Sequence, residues 1–172
     1  TLSNVTLANA NIQTPGHSQT YTSDVSIAES ATLVGAQIQI DSAVNLASDK
    51  YLDITHTAAS SINGKVTGAG GLIIRDADVQ LGLNAANTYS GKTQVRAGTL
   101  TVTQSSSQPL TASPYGVGQI EVYDGAALDL NGKTLVNAVS LSGTGVSNGG
   151  ALKNASASAA SVTGVITLAA NS

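Results

Sequence analysis

The chain has 172 residues, of which 10% are charged and 3% aromatic, and it contains no Phe, Trp, Met or Cys. A core built on large rings, a disulfide framework and a thiolate metal site are therefore excluded, and any core must consist of Val, Ile, Leu and Ala. The net charge of −3 comes without any cluster of Lys or Arg, so nucleic acid and anionic membranes are poor partners.

The sequence before residue 67 is built from pairs of apolar residues two positions apart. Such pairs predict short strands with one face turned inward. Clusters of Gly, Asn, Asp and Ser separate the pairs and favour tight corners. We expect residues 1–66 to form either N-terminal rungs or a cap. The pairs are Val5/Leu7, Val25/Ile27, Ile38/Ile40, Val44/Leu46 and Leu52/Ile54.

The segment from 68 to 102 contains the most distinctive motif. The run Asn87-Thr-Tyr-Ser-Gly91 is followed by a strand pattern that ends in Ala97-Gly-Thr-Leu100, and nothing in it favours a helix. Ahead of this run, Ile73 is predicted to face the core together with the apolar residues of segment 79–83. This segment is predicted to be one repeat unit.

Residues 103–118 form the longest break in the strand pattern and hold two of the three prolines, Pro109 and Pro114. We expect this segment to project as a surface loop. An inert excursion is the favoured interpretation, and Tyr115 is the residue to consider if the loop contacts a receptor or a glycan.

Residues 119–168 return to the strand pattern, with Gly- and Asn-rich corners between the strands. A second, weaker loop is expected over 155–161. The apolar pairs here are Ile120/Val122, Leu128/Leu130, Val139/Leu141 and Ile166/Leu168.

Strand spacing alone would suit a β-sandwich as well as a solenoid. Sandwiches usually fill their core with aromatic residues and join strands through two-residue hairpins, whereas this chain has small aliphatics and Asn/Gly corners. We therefore predict an all-β fold, a right-handed parallel β-helix with rungs of roughly 20 to 30 residues. Corner asparagines are predicted to form a ladder of side-chain hydrogen bonds; the candidates are Asn84, Asn87, Asn131, Asn148 and Asn154.

The motifs of 68–102 resemble the autotransporter-associated β-strand repeat of Gram-negative bacterial surface proteins. The resemblance rests on Gly70-Gly71-Leu72, on the Asn87–Gly91 run and on Ala97–Leu100, and the order of motifs from 120 to 168 is also similar to the sequence after this repeat in large family members. It implies a right-handed parallel β-helix exported across the outer membrane to the cell surface, often as the stalk of an adhesin. It implies no catalytic residues.

Two polar motifs suggest chemistry, and both have a simpler explanation. The run Gly145-Val-Ser147-Asn-Gly149 matches a hydrolase nucleophile elbow, but no helix follows it and both histidines precede it, so a turn is favoured. Asp76 and Asp78 lie two residues apart beside Arg75, so in a strand both carboxylates would share one face, as in a calcium site or a glycosidase pair. A solvent-exposed face without such a site is the favoured interpretation.

The histidines and tyrosines are the remaining candidates. His17 and His56 lack partner ligands at metal spacing and are predicted to be ordinary surface residues. The tyrosines could form a sugar-stacking platform if several lined one face, although Tyr89 is predicted to pack at a rung corner. The five are Tyr21, Tyr51, Tyr89, Tyr115 and Tyr123.

We expect the chain to be a structural stalk or scaffold segment of a secreted, autotransporter-like surface protein, with a contribution to adhesion. The expected partners are a surface glycan or protein, or other copies of the chain, without direct membrane insertion. No enzyme activity, catalytic residue, cofactor or metal is expected. The alternatives are a self-assembling extracellular filament subunit and, less favoured, a polysaccharide-processing β-helix enzyme. Because strand-like sequence begins at once at Thr1 and a strand lies close to Ser172, we expect a segment of a longer protein.

Overall fold

The computed structural model describes residues 4–76, 81–83, 85–106, 111, 113 and 115–170. These residues fold almost entirely as short parallel strands that wind through about seven turns of a β-solenoid. The predicted all-β, parallel-helix class is confirmed. A right-handed sense of winding is the expectation for parallel crossover connections.

Successive strands visit successive walls of the coil. Most are only three to six residues long, because each wall is short and ends at a corner. In chain order they are β1 (Asn4–Leu7), β2 (Asn11–Thr14), β3 (Gln19–Tyr21), β4 (Asp24–Ile27), β5 (Ala31–Gly35), β6 (Ile38–Ile40), β7 (Val44–Leu46), β8 (Tyr51–His56), β9 (Ser60–Ile62), β10 (Val66–Gly68), β11 (Gly71–Asp76), β12 (Leu81–Leu83), β13 (Thr93–Thr101), β14 (Ile120–Val122), β15 (Ala126–Asp129), β16 (Thr134–Leu135), β17 (Val139–Ser142), β18 (Leu152–Lys153), β19 (Ser161–Val162) and β20 (Ile166–Ala170).

Three parallel sheets form the walls. The first sheet has the order β1-β4-β7-β10, the third has β3-β6-β9-β12, and the long sheet between them runs β2-β5-β8-β11-β13-β14-β17-β20. In the second half, β15 and β18 stack on the end of β13, and β16 pairs with β19. Because the long sheet continues from β2 to β20, strands before Val66 stack in the same coil as those after it.

The register of the sheets gives the length of each rung. In the first sheet Val5 lies opposite Val25, Val25 opposite Val44, and Val44 opposite Val66, so rungs there span 20, 19 and 22 residues. Later rungs are longer where corners expand: Val95 lies opposite Val122, 27 residues on. These lengths agree with the predicted range.

The core is a set of apolar columns inside the coil, one residue from each rung. The central column of the long sheet contains Leu33, Ile54, Ile74, Val95, Val122 and Leu141, all buried. Each such side chain stabilises the fold by about 1.5–3 kcal/mol, and only because a neighbouring rung covers it. The inward alternation predicted for most strand pairs is therefore correct.

The predicted orientation of Ile73 is wrong. In β11 the buried residues are Leu72 and Ile74, and Ile73 lies between the outward-facing Asp53 and Gln94 of adjacent rungs. The strand has three apolar residues in a row, and neighbour pairing rather than local alternation decides which face is inward. Of segment 79–83, Leu83 is buried as expected, and Val79 lies outside the described residues.

A column of glycines lets the rungs approach closely at the corner before the long sheet. A Cβ on Gly91 would overlap main-chain atoms of Gly70, and a Cβ on Gly118 would overlap the carbonyl of Gly91. Below them, Asn137 donates to the carbonyl oxygens of Gly116 and Gly118 at 3.0 and 2.9 Å. The glycines of the predicted repeat are thus required by contact between rungs.

Candidate functional site: the outer face of the long sheet

Charged side chains gather on the outer face of the long sheet, between β8 and β14. Asp53 accepts a hydrogen bond from Arg75 Nε at 3.0 Å, one rung away. Lys92 Nζ donates to Glu121 Oε1 at 2.5 Å, again between neighbouring rungs. This hydrogen bond and the carboxylate charge raise the pKa of Lys92. We call this set, together with Gln94, Arg96 and Tyr123, the charged face.

Arg96 is held differently from the other two cations. Its Nε and Nη2 both donate to Gln94 Oε1, at 3.0 and 2.8 Å, and its guanidinium lies 4.7 Å from the centre of the Tyr123 ring. The Tyr123 hydroxyl in turn donates to Glu121 Oε2 at 3.3 Å. A neutral amide and an aromatic face therefore position an exposed guanidinium.

Two registers place Arg96: the regular pairing of β13 with β14 brings it beside Tyr123, and a β-bulge interrupts its pairing with β11. Ile74 lies opposite Val95, but the next residue, Arg75, lies opposite Ala97, so Arg96 is the extra residue of β13. Bulges re-aim a side chain and interrupt the regular pairing. Nothing in the sequence marks Arg96 as the inserted residue, and for this reason sequence reasoning missed both Arg96 and its contact with Tyr123.

Of the predicted carboxylate pair, only the main chain of Asp76 belongs to the described residues. Asp78 and the side chain of Asp76 lie outside the described residues, whereas Arg75 forms an ion pair with Asp53 on the preceding rung. In the described part of the chain, no group of three His, Asp or Glu residues is placed to hold a metal ion.

The two histidines differ from each other. His17 lies exposed in the turn after β2, as predicted. The prediction for His56 is wrong, because this residue is buried at the end of β8 with its Nδ1 2.9 Å from the Ala58 carbonyl oxygen. Its inward direction follows from the alternation that also buries Leu52 and Ile54.

Ser147 lies on a turn. Residues Val146–Asn148 form one 3-10 turn, in which Ser147 has a φ of 51° and is exposed. The predicted turn is confirmed. It does not have the strand-to-helix geometry that exposes the serine of a nucleophile elbow.

The tyrosines divide into an inner and an outer group. Tyr89 and Tyr115 are buried in the core, as expected for Tyr89. Tyr51 and Tyr123 both lie on the outer face of the long sheet, three strands apart and offset along the strands, which separates them by about 20 Å. They are too distant to stack on one sugar ring, so no single platform exists between them.

The predicted loop 103–118 is too long at both ends. At its N-terminal end, Ser106 is buried and its N–H donates to the Thr134 carbonyl oxygen at 2.9 Å. At its C-terminal end, the wall has resumed by Tyr115. Tyr115 is 1% exposed, its hydroxyl donates to the Thr101 carbonyl oxygen at 3.0 Å, and the Val117 N–H donates to the Tyr89 carbonyl oxygen at 2.9 Å. This stretch is part of the wall, and Tyr115 is not available to a receptor. Residues 107–110, 112 and 114 lie outside the described residues.

Corner asparagines bond to the main chain of adjacent rungs. The Val66 N–H donates to Asn87 Oδ1 at 2.7 Å, and the Gly132 N–H donates to Asn154 Oδ1 at 2.8 Å. Asn131 has a φ of 47° at its corner, and Asn148 accepts from Thr144 within its own turn. The asparagines link rungs but not as a ladder of like side chains; Asn84 lies outside the described residues, and buried Asn137 was missed.

Two further surfaces are open. A groove of about 370 Å³ lies along the first sheet between small polar residues such as Thr6, Ser26 and Asn45, without any aromatic or cationic residue in its lining. At the C-terminal end, the inward columns emerge at β20, where Ile166 is 44% and Leu168 66% exposed. A cavity of about 370 Å³ opens there beside Leu141 and Leu152.

No family model, curated protein or solved structure matches the chain. Among the residues that the structure describes, no helix is long and apolar enough to cross a membrane. The parallel β-solenoid is therefore the class to which the chain is assigned, on the architecture itself.

Proposed function

We propose that the chain is a stalk segment of a secreted bacterial surface protein of the autotransporter type, which holds a distal region away from the membrane. The observation that carries the proposal is the unbroken stack of the long sheet, from β2 to β20, over one continuous apolar column. The resemblance of residues 70–100 and 120–168 to autotransporter-associated repeats supports the same function.

The stack has the properties that a stalk needs. Each rung extends the coil by about 4.8 Å, and parallel main-chain hydrogen bonds fix it to the rung before and the rung after. The ion pairs Glu29–Lys50, Asp53–Arg75 and Glu121–Lys92 also connect neighbouring rungs, along the axis of the coil. Stiffness along the axis follows from this repetition.

Stacking also suits export of an unfolded chain. A rung is stable only when it contacts its neighbour, so folding outside the cell would proceed rung by rung and oppose backward movement. Substitution of an inward core residue would then stop export as well as folding.

The test is surface display in a Gram-negative host. The chain is placed between an N-terminal epitope and an outer-membrane anchor, and antibody binding to intact cells is measured. We expect display of the wild type and loss of display for Leu141→Asp and Leu128→Asp, because both side chains are buried. The control is Ser140→Asp, on the outward face of the same strand as Leu141.

Display of the Leu141→Asp variant at the wild-type level would contradict the proposal, as would loss of display for Ser140→Asp alone. Differential protease digestion of intact cells would confirm that the epitope is outside the outer membrane. Expression levels of all variants are measured in whole-cell extracts, so that loss of display is distinguished from loss of synthesis.

One observation favours a second function, head-to-tail self-association. The column that ends at exposed Leu168 begins at Ile12, and the column that ends at Ile166 begins at Ala10, both partly buried against the core. A second copy could therefore place its β2 on β20 in register, with main-chain pairing and apolar contact.

Sedimentation velocity over a range of concentrations tests this association. We expect concentration-dependent oligomers, with elongated particles by electron microscopy, and their loss in Leu168→Asp but not in Thr167→Asp, which lies on the outward face. A monomer at every concentration would reject self-association and leave the stalk function standing.

A further inference from the structure

We propose that Arg96, Tyr123 and the adjoining hollow bind an acidic sugar unit of the uronate class, through the carboxylate of the sugar. This site goes beyond the stalk function and does not depend on it. Three features of the surface support it: the Arg96 guanidinium has no carboxylate partner among the described residues, its position is fixed by its neighbours, and a hollow lined by polar residues lies nearby.

Arg96 is the cation of the charged face that lacks a carboxylate. Arg75 is paired with Asp53, and Lys92 with Glu121, but in the part of the chain that the structure describes no Asp or Glu oxygen lies within ion-pair distance of Arg96. Gln94 occupies one side of its guanidinium through Nε and Nη2. Among the described residues nothing else accepts from its remaining N–H groups, so they can bind a planar anion in bidentate fashion.

The position of Arg96 is fixed before any ligand arrives. The bulge leaves Arg96 without a partner in β11, the adjacent Gln94 is buried, and the ring of Tyr123 lies 4.7 Å from the guanidinium. A side chain that is already ordered loses little entropy on binding. An ordinary surface arginine would lack both supports.

A hollow of about 180 Å³ lies on the next rungs and shares Tyr123 with this arginine. Its lining includes Glu121, Tyr123, Ser140 and Ser142. Glu121 is held in place by Lys92 and by the Tyr123 hydroxyl. The hollow therefore offers hydrogen-bond acceptors and donors next to an aromatic surface, and its volume suits one sugar ring.

A uronate combines the groups that this surface would recognise. Its carboxylate would lie on Arg96, its hydroxyls would reach Ser140, Ser142 and Glu121, and a ring face would contact Tyr123. A neutral sugar would leave the guanidinium without an anion, and inorganic phosphate would leave the hydroxyl groups of the hollow unused. These differences separate the expected ligand from its competitors.

The experiment measures binding of an oligogalacturonate to the whole chain by isothermal titration calorimetry at low and at physiological salt. The matched neutral probe is the same oligomer fully methyl-esterified, and inorganic phosphate is the second competitor. We expect binding of the acid form only, weakened at least tenfold by Arg96→Gln and by Tyr123→Ala, and weakened less by Arg96→Lys. Binding is expected to change less than twofold in Arg75→Gln, which removes the same charge on the same face.

Three results would overturn the site. They are no binding at millimolar sugar, equal binding of the esterified oligomer, and an equal loss of affinity in Arg75→Gln and Arg96→Gln. The last result would show attraction by net charge instead of a defined site. Circular dichroism of each variant checks that the solenoid is intact, and surface display of the chain is unaffected by either outcome.

Discussion

Two tyrosine rings join the aliphatic core, Tyr89 within the Asn87–Gly91 motif and Tyr115 on the next rung. Tyr89 donates to Thr93 Oγ1 at 2.6 Å, the Thr93 hydroxyl donates to the Tyr115 carbonyl oxygen, and Tyr115 bonds to Thr101. Asn87 joins the same motif to Val66, and Gly91 lets the rung approach its neighbour. Each recognisable residue of the motif thus has a role in packing.

Burial of these rings predicts instability at alkaline pH. Burial raises the pKa of Tyr115 to about 12 and raises that of Tyr89 still further, from an ordinary value of 10.0. Because the folded pKa is the higher one, the stability is complete below pH 10 and is lost as the pH rises toward 12. The loss is about 1.4 kcal/mol per pH unit for each ring.

Urea unfolding at a series of pH values measures this loss, and tyrosinate absorbance shows whether both rings ionise together with unfolding. Tyr115→Phe removes one ionisation and is expected to flatten the dependence, although it is less stable at neutral pH because the Thr101 and Thr103 groups lose a partner. A Tyr115→Phe variant with the same pH slope as the wild type would contradict the assignment.

The glycine column makes a steric prediction. Gly91→Ala is expected to destabilise the fold by roughly 1–3 kcal/mol or more, because the new methyl group would overlap the main chain of Gly70. Gly149→Ala is the control, since Gly149 has a φ of −83° and only the Val146 carbonyl oxygen near its Cβ position. Thermal unfolding of both variants measures the difference, and equal melting temperatures would show that the rungs can separate at the corner.

At the scale of strands, the sequence was informative where alternation is strict. Pairs such as Val25/Ile27 and Ile38/Ile40 lie inward as their spacing predicts, because one face of each wall is dry and the other is wet. Alternation fails in β11, where three apolar residues are adjacent, and in β15, where Ala126–Asp129 are all buried. In those strands the covering comes from other rungs, which a single sequence does not display.

The outer surface was predictable in composition but not in arrangement. Sequence spacing cannot show that Arg75 meets Asp53 or that Arg96 meets Tyr123, since each pair is joined by a register that depends on every corner in between. One extra residue in β13 decides which side chain leaves the column. The candidate site therefore comes from the register of the stacked strands.

Position along the coil, and not residue type, should decide the cost of a core substitution. Leu33 and Leu168 occupy the same inward column, yet Leu33 is covered on both sides and Leu168 is 66% exposed. We expect Leu33→Ala to cost about 2–5 kcal/mol and Leu168→Ala less than about 1 kcal/mol. Denaturant titration measures both, and a large effect at Leu168 would indicate that another rung covers β20 in solution.

For the whole molecule, a solenoid differs from a globular domain in that its length can change while its contacts remain the same. Main-chain pairing joins each rung to the one before it and the one after it, so stability is close to a sum of rung and interface terms. A stalk requires this property, because its task depends on length.

The molecule should therefore accept one additional rung. Duplication of residues 25–43 after Ala43 inserts one complete rung of 19 residues, because Val25 lies opposite Val44. The copies of β4, β5 and β6 then stack between the original β4, β5 and β6 on one side and β7, β8 and β9 on the other. We expect a folded protein whose maximum dimension by small-angle X-ray scattering is greater by about 4.8 Å.

The matched control keeps the composition and reverses the faces. In it, each inward residue of the inserted strands is exchanged with the residue after it, as in Val25/Ser26 and Ile38/Gln39, so polar side chains would enter the column. This chain is expected to lose cooperative unfolding or to expel the insert as a loop, without the increase in length along the axis. Equal stability and equal dimensions for the two insertions would mean that the rungs are not independent units, and the physical basis of the stalk proposal would then fail.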